Sequence, residues 1–314
     1  VNKNSKIYVA GHSGLVGSAL IRKLKAAGYT NIITKSHQEL DLLEQSSVKE
    51  FLFKEKPEYV FAAAGKLGGI YANDTYRADF IYENLQIETN IIHYSFLAEV
   101  KKLLLFSCAS IYPKFCPQPM KEEYILTAPL EPTNEPFAVA KLAGLKMAES
   151  YRRQYGCDFI TLIPTNIYGP DQRYTPLNSL LIPAMIAKFH EAKEQKENSV
   201  KAWGTGRPLR DFLFSEDLAD AAIFCMNKYS DIAPINVGTG KDVSVSQVVQ
   251  MISKIVGYKG DISFDTSMPE GVHVRLQDIS RITGLGWSPK TSLEDGINIA
   301  YQDFLTKLSR ERKD

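Results

Sequence analysis

The sequence predicts an α/β protein built on a doubly wound parallel sheet. Short apolar runs alternate with helical segments through the first half of the chain, the order that places crossover helices between parallel strands. A glycine-rich turn joins the first apolar run to the first helix. The chain has 314 residues, 44% of them hydrophobic and 23% charged, which suits one large domain or two intimately joined ones with a full core.

Each element carries its own signal. Ile7, Tyr8, Val9 and Ala10 read as a buried strand, and residues 15–27 as a helix closed by Gly28. A second strand is expected at 31–34, a helix at 46–54 stopped by Pro57, and a third strand at 59–63. A long helix over 80–97 precedes a fourth strand at 103–106. The next helix starts near Asn134, Glu135 and Pro136, where asparagine is a good cap, glutamate suits the first turn and proline is tolerated. It runs to about Tyr155, stops at Gly156, and leads to a fifth strand at 159–163. Beyond Tyr168, Gly169 and Pro170 the pattern loosens. The polar residues 190–199 read as a surface loop or a frayed helix end. Residues 212–214 look like a return to the sheet, with Ser215 capping a helix over 216–226. A strand at 235–237 and helices at about 246–256 and 293–308 follow. The expected division is a dinucleotide-binding, Rossmann-type domain of residues 1–169 plus about 210–240, and a smaller, discontinuous substrate domain of about 170–209 plus 241–314.

Composition narrows the function. Lys and Arg total 37 against 36 Asp and Glu, a net charge of +1, so neither nucleic acid nor an anionic membrane is expected as a partner. The cysteines, Cys108, Cys116, Cys157 and Cys225, form no C-x-x-C pair, and the histidines show no ligand spacing; no metal is expected, and such cysteines suit a reducing compartment. The first apolar run is too short for a signal peptide, and no apolar stretch approaches the ~20 residues needed to cross a bilayer. A cytoplasmic location is the expectation.

Gly11, Gly14 and Gly17, with Ser13, Leu15 and Val16 among them, make a G-x-x-G-x-x-G turn between strand and helix. Glycines there allow a tight turn and close approach of a pyrophosphate, which meets the free N–H groups of the helix start. An NAD site usually carries an acid about 20 residues further on. Here the second strand ends in Lys35, Ser36 and His37, which favours the 2′-phosphate of NADP, although both cationic candidates could be solvated loop residues. Asp41 and Leu42 follow where such folds contact adenine. Ala63 and Ala64 after the third strand, and Pro164, Asn166 and Ile167 after the fifth, are assigned to the same cleft. Phe137 and Lys141 stand four apart on one helix and share a face. Lysine on an amphipathic helix is usually solvated; its spacing from the other elements assigns it to the site.

From Ile7 onward the chain resembles the GDP-L-fucose synthase family, extended short-chain dehydrogenase/reductases that epimerise and reduce GDP-4-keto-6-deoxymannose with NADPH. The matching segments include Val-Ala-Gly-His-Ser-Gly-Leu-Val-Gly-Ser at 9–18, Asn-Leu-Gln-Ile at 84–87, Ile-Tyr-Pro-Lys at 111–114, Leu-Glu-Pro-Thr-Asn-Glu-Pro at 130–136, Pro-Thr-Asn at 164–166, Phe-His-Glu-Ala at 189–192 and Asn-Val-Gly-Thr-Gly at 236–240. The resemblance implies that Lys141 binds the nicotinamide ribose. It implies GDP contacts from Lys188 (arginine in the family), Trp203, Arg210 and Arg275, and a sugar or carboxamide contact from Asn166. Trp203 either stacks on guanine or fills the core. A homodimer through a four-helix bundle of residues 80–97 and 137–155 is also implied.

The departures fall where the chemistry belongs. The family's catalytic tyrosine is Phe137, its substrate-facing serine is Cys108, and its acid/base cysteine is Ser110. The partner histidine of an Asn-Ser-His motif is Leu180, after Asn178 and Ser179. Inversion beside a ketone needs an acid and a base on opposite faces of the ring, and neither Ser110 nor Leu180 supplies one. Hydride transfer rests mainly on positioning, and a general acid adds only ~10²–10⁴-fold. The expectation is therefore an NADPH-dependent C4-reductase of a GDP-4-keto sugar that lacks C3/C5 epimerisation, with Lys141, Ser110, Cys108 or a water managing the proton. The alternatives are a GDP-sugar-binding pseudoenzyme, and a full epimerase/reductase in which Phe137 is an introduced substitution.

Overall fold

The computed structural model describes residues 1–175, 179–268 and 271–311. The chain opens with β1 (Ile7–Ala10), α1 (Leu15–Ala26), β2 (Ile32–Ile33), α2 (Gln45–Glu55) and β3 (Tyr59–Ala62). Helices α3 (Ile70–Thr75) and α4 (Arg77–Leu97) lead to β4 (Lys102–Phe106), then α5 (Glu135–Tyr155) and β5 (Asp158–Pro164). Next come β6 (Asn166–Tyr168), α6 (Leu181–Glu194), β7 (Ser199–Trp203), β8 (Leu209–Arg210), β9 (Phe212–Phe214), α7 (Ser215–Lys228) and β10 (Ile235–Val237). The last elements are β11 (Val243–Ser244), α8 (Val245–Val256), β12 (Asp261–Asp265), β13 (Val274–Arg275), α9 (Ser280–Gly284) and α10 (Leu293–Glu311).

Among the described residues, β10-β5-β4-β3-β1-β2 form one six-stranded sheet, parallel throughout. Its strands are apolar on both faces because helices cover both. In β4, Leu104 and Phe106 point into the cluster beneath α1 and α7, while Leu103 and Leu105 point into the cluster beneath α2, α4 and α5. Each large side chain so buried is worth ~1.5–3 kcal/mol, which fixes the three-layer arrangement. A second core gathers Ile182, Ile186 and Phe189 of α6, Val249 and Ile252 of α8, and Ile297 of α10. There α8 opens on a capping box between Ser244 and Gln247.

Several expectations need correction. Residues 212–214 do not rejoin the main sheet: β9 pairs with β6 in a separate parallel ribbon, and β10 takes the edge beside β5. Hydrogen bonds from Thr165 Oγ1 (3.0 Å) and Asn166 Nδ2 (2.9 Å) to the Asp211 carbonyl hold that ribbon over the end of β5. Ser215 is the first residue of α7 rather than its cap, and its hydroxyl is buried without a partner. Asn134 occupies the cap position of α5, but its side chain makes no capping bond. Residues 190–194 belong to α6, a helix anchored by the apolar spacing of Ile182, Met185, Ile186 and Phe189; 195–198 turn into β7.

Candidate active site

The chain winds outward in both directions from β1 and β3, so the crevice at their carboxyl ends is the switch point where such sheets bind ligands. Gly11, Gly14 and Gly17 turn there. Gly11 has φ +76°, and a Cβ on it would lie 2.7 Å from the Ala64 backbone. A Cβ on Gly17 would lie 2.1 Å from the Gly11 carbonyl oxygen. Ala63 and Ala64 thus form the facing wall. Gly14 caps α1 with no side-chain bond, the first turn holds no acid, and Ser13 is exposed beside it. Leu15 and Val16 begin the helix, partly buried. An uncapped helix start beside glycine backbone fits a pyrophosphate.

Lys35 and His37 follow β2 at the surface, so their solvated reading stands for the unliganded chain. Lys35 Nζ lies 3.3 Å from Glu39 Oε1, and His37 Nδ1 lies 3.7 Å from Asp41 Oδ1. Glu39 also accepts from the Ser36 amide and hydroxyl, and these bonds together with Lys35 hold its carboxyl down at about 2. Leu42 is anchored through its carbonyl by Asn90 Nδ2 at 2.9 Å.

On α5, Phe137 is 7% exposed and packs edge-on against Phe80 at 6.3 Å between centroids, in a small cluster with Ala72 and the partly buried Cys108. No hydroxyl is present at that point. One turn on, Lys141 is buried and donates to Glu88 Oε1 (2.7 Å) and to the Phe106 carbonyl (3.1 Å). Cys108 and Ser110 follow β4. Burial pushes the Cys108 thiol up, against the pull of Lys141, of hydrogen bonds from Ser110 and of Arg275. Ser110 Oγ accepts from Asn134 Nδ2 (3.2 Å) and from Arg275 Nη1 (3.4 Å). With both lone pairs engaged, one by a cation, the Ser110 O–H is left to donate, and in the unliganded chain it donates to Cys108. Tyr112, two residues after Ser110, is buried and its hydroxyl donates to Asn236 Oδ1 at 2.7 Å.

Of the residues expected to contact GDP, Arg210 lies on β8 and Arg275 on β13. These strands pair in parallel with Arg275 opposite Arg210. Arg210 Nη1 donates to the Leu209 (2.8 Å) and His273 (3.3 Å) carbonyls. Desolvation lowers the Arg275 pKa from its ordinary value, opposed by Cys108 and Glu131. Trp203 ends β7 on the Lys201 face, opposite Val200 and Ala202, and lies outside the apolar cluster they join. Lys188 donates to the Lys201 carbonyl, and burial lowers its pKa. Asn166 and Ile167 are partly buried and Pro164 is buried at the end of β5. Leu180 is 48% exposed at the start of α6, and Asn178 lies outside the described residues.

The structure also recruits groups that sequence reasoning missed. Glu88 is a carboxylate on the buried stripe of α4, between Asn84 and Ile92, and that misplaced charge was the available signal. Asn134 was read as a cap but faces Ser110. Asp211 is fully buried; burial raises its carboxyl to about 6, while bonds from Thr239 and Gly240 act against that rise. Among the described residues no cluster of His, Cys, Asp and Glu could hold a metal, and no helix is long and apolar enough to cross a membrane.

Residues 7–238 match the model of the family described as "NAD dependent epimerase/dehydratase family". The chain belongs to that family. Its likeness within the family is to GDP-sugar enzymes. It is 49% identical to GDP-L-fucose synthase 1 of Arabidopsis thaliana over 307 residues, covering 98% of this chain and 95% of the plant protein. A GDP-6-OMe-4-keto-L-xylo-heptose reductase from Campylobacter jejuni superposes with a TM-score of 0.92 at 42% identity, covering 98% of this chain and 99% of that one. A GDP-mannoheptose C4 reductase from the same organism, solved with NADP bound, gives 0.89 at 43% identity, with 97% and 99% coverage. For a member of this epimerase/dehydratase family, the glycine turn at the crevice of β1 and β3 suits a dinucleotide.

Proposed function

We propose that the protein is an NADPH-dependent reductase that converts the 4-keto group of a GDP-sugar, a 6-deoxyhexose or a heptose, to an alcohol without inverting C3 or C5. The product would serve nucleotide-sugar biosynthesis for a surface polysaccharide. The observation that carries the reading is Ser110: a hydroxyl held by Asn134 and Arg275 stands where the family's epimerising thiol belongs. A serine hydroxyl lacks the accessible acidity for proton abstraction beside a ketone, and Leu180 has no ionisable group to act on the other face. The Arabidopsis and Campylobacter relatives support a GDP-sugar substrate, and the reductase solved with NADP supports that cofactor.

When bound, NADPH supplies the hydride that adds to C4. The glycine turn and the open start of α1 hold its pyrophosphate, Lys35 and His37 face its 2′-phosphate, and Lys141 orients its nicotinamide ribose. Arg210 and Arg275 bind the GDP diphosphate, with Lys188 beside them and Trp203 offering its face to guanine. Ser110 donates its proton to the oxygen at C4 as negative charge develops there, and solvent restores the seryl proton. Serine and sugar hydroxyls have similar acidity, so that transfer is close to balanced. Cys108, kept as a thiol by burial, packs beside them. We further infer a homodimer through α4 and α5, whose outer faces expose Tyr82, Val139 and Tyr155.

The test is NADPH oxidation with a GDP-4-keto-6-deoxymannose or GDP-4-keto-heptose substrate in deuterated water. Many turnovers with no deuterium at C3 or C5 are expected. Deuterium at those carbons would restore the epimerase/reductase reading that the plant relative favours. Binding without turnover would favour a non-catalytic GDP-sugar binder, a reading that the apolar packing of Phe137 supports.

A further inference from the structure

Lys141 and Glu88 form an ion pair at 2.7 Å in which both side chains are almost wholly withdrawn from water, 7% and 8% exposed. Two charges are costly to bury and persist only with good geometry and compensating bonds. The compensation is lopsided. Lys141 Nζ has two acceptors, the Glu88 carboxylate and the Phe106 carbonyl, which leaves one N–H for another partner. Glu88 Oε2, by contrast, has no hydrogen-bond partner in the protein. Helix α5 makes room for it: a Cβ on Gly144 would lie only 1.6 Å from Glu88 Oε2. One turn before Glu88, Asn84 ties down the strand-to-helix loop through the Lys66 amide (3.0 Å) and carbonyl (3.1 Å). That loop includes Gly65, where a Cβ would lie 3.6 Å from Lys141 Nζ. Two residues on one face of α4 therefore shape the surroundings of Lys141, and a stability role alone would be served better by apolar side chains of similar size.

We propose that Glu88 is a positioning residue for the cofactor: its carboxylate holds the Lys141 side chain and aims its remaining N–H at the nicotinamide ribose. This rests on the reading of the crevice as an NADPH site. The titratable groups facing Lys141 are Glu88 from α4 and Cys108 from the segment after β4; Arg275 from β13 faces Cys108 in turn. Phe137 of α5, Gly65 and the Phe106 carbonyl complete its surroundings. Burial raises the Glu88 carboxyl and Lys141 pulls it back, so the two charges depend on one another. With glutamine at 88, a buried lysine has no counter-charge, and burial then favours the neutral amine.

The test is NADPH dissociation measured by nucleotide fluorescence between about pH 7 and pH 9, with melting curves alongside. For the unmodified chain the affinity is expected to stay flat across that range. For Glu88→Gln it should fall by about ten- to a hundredfold on going to the alkaline end, the worth of a charge-assisted hydrogen bond. Glu88→Asp keeps the charge but draws it back, and should weaken binding equally at every pH. A loss in Glu88→Gln that is uniform in pH, or no loss, would overturn the proposal. If that variant fails to fold, an unmodified chain whose NADPH affinity already falls steeply below pH 9 overturns it, and a flat profile beside a uniformly weakened Glu88→Asp supports it. A folded, unmodified chain that binds no NADPH at any pH would instead refute the cofactor reading itself.

Discussion

Alanine substitution of Arg275 and of Arg210, one at a time, separates binding from chemistry. The two residues face each other across β8 and β13, so their Cα atoms lie about 5 Å apart on one face. A diphosphate bound at this pair would accept a charge-assisted contact from each guanidinium. Each such contact is worth ~1.5–3 kcal/mol, so either alanine should weaken GDP binding by roughly 10- to 150-fold. Only Arg275 also reaches Ser110 Oγ, at 3.4 Å. Its loss leaves the hydroxyl with Asn134 alone, and kcat should drop about tenfold beyond any change in KM. Arg210→Ala should raise KM and spare kcat. Isothermal titration with GDP and steady-state NADPH oxidation read the two effects. Unchanged GDP affinity in both variants would refute the diphosphate assignment, and an equal fall in kcat in both would refute the link from Arg275 to Ser110.

Phe137→Tyr introduces a hydroxyl into the cluster of Phe80, Ala72 and Cys108. Left unpaired it should cost the unbound protein about 1–3 kcal/mol on melting, while turnover rises by up to ~10²–10⁴-fold as a stronger acid than serine enters the site; unchanged turnover would show that the missing phenol does not limit the rate. Lys35→Ala should reduce the preference for NADPH over NADH about tenfold, and Glu39→Gln, by releasing Lys35 from its 3.3 Å contact, should increase it; equal shifts for both cofactors would contradict the 2′-phosphate role. Asp211 retains its proton up to about pH 6 in the folded chain, above the ordinary carboxyl value of the unfolded chain. The folded state therefore binds more protons between about pH 4 and 6, and this group's contribution to stability falls as pH rises through that window. Asp211→Asn should remove that part of the slope, and melting curves with the same pH slope in both proteins would count against it.

What was legible in the sequence was what the chain builds locally. The glycine turn lies between a strand and the helix it feeds, so its type and spacing already imply an anion site. Phe137 and Lys141 share a face because they are one helical turn apart. The four inner strands, β5, β4, β3 and β1, were legible because burial on both faces demands continuous apolar runs. Where the pattern failed, a local signal was outweighed by a distant partner. Residues 212–214 have the composition of a sheet strand, yet the Asp211 carbonyl captures Thr165 and Asn166 and draws them into a ribbon with β6. Asn134 has the chemistry of a cap and gives its amide to Ser110 instead.

By itself, then, the sequence determined the Rossmann-type core, the cofactor turn and the lysine on α5, since each depends on residue type at short spacing. Only the tertiary structure decided that Arg210 and Arg275 are register partners, that Ser110 is held by two donors from separate segments, and that a carboxylate from α4 is the counter-charge of Lys141. Those arrangements exist because packing brings remote segments within hydrogen-bond distance. In a dry interior a charge or hydroxyl takes its character from whichever neighbours replace its water, and no local pattern names them in advance.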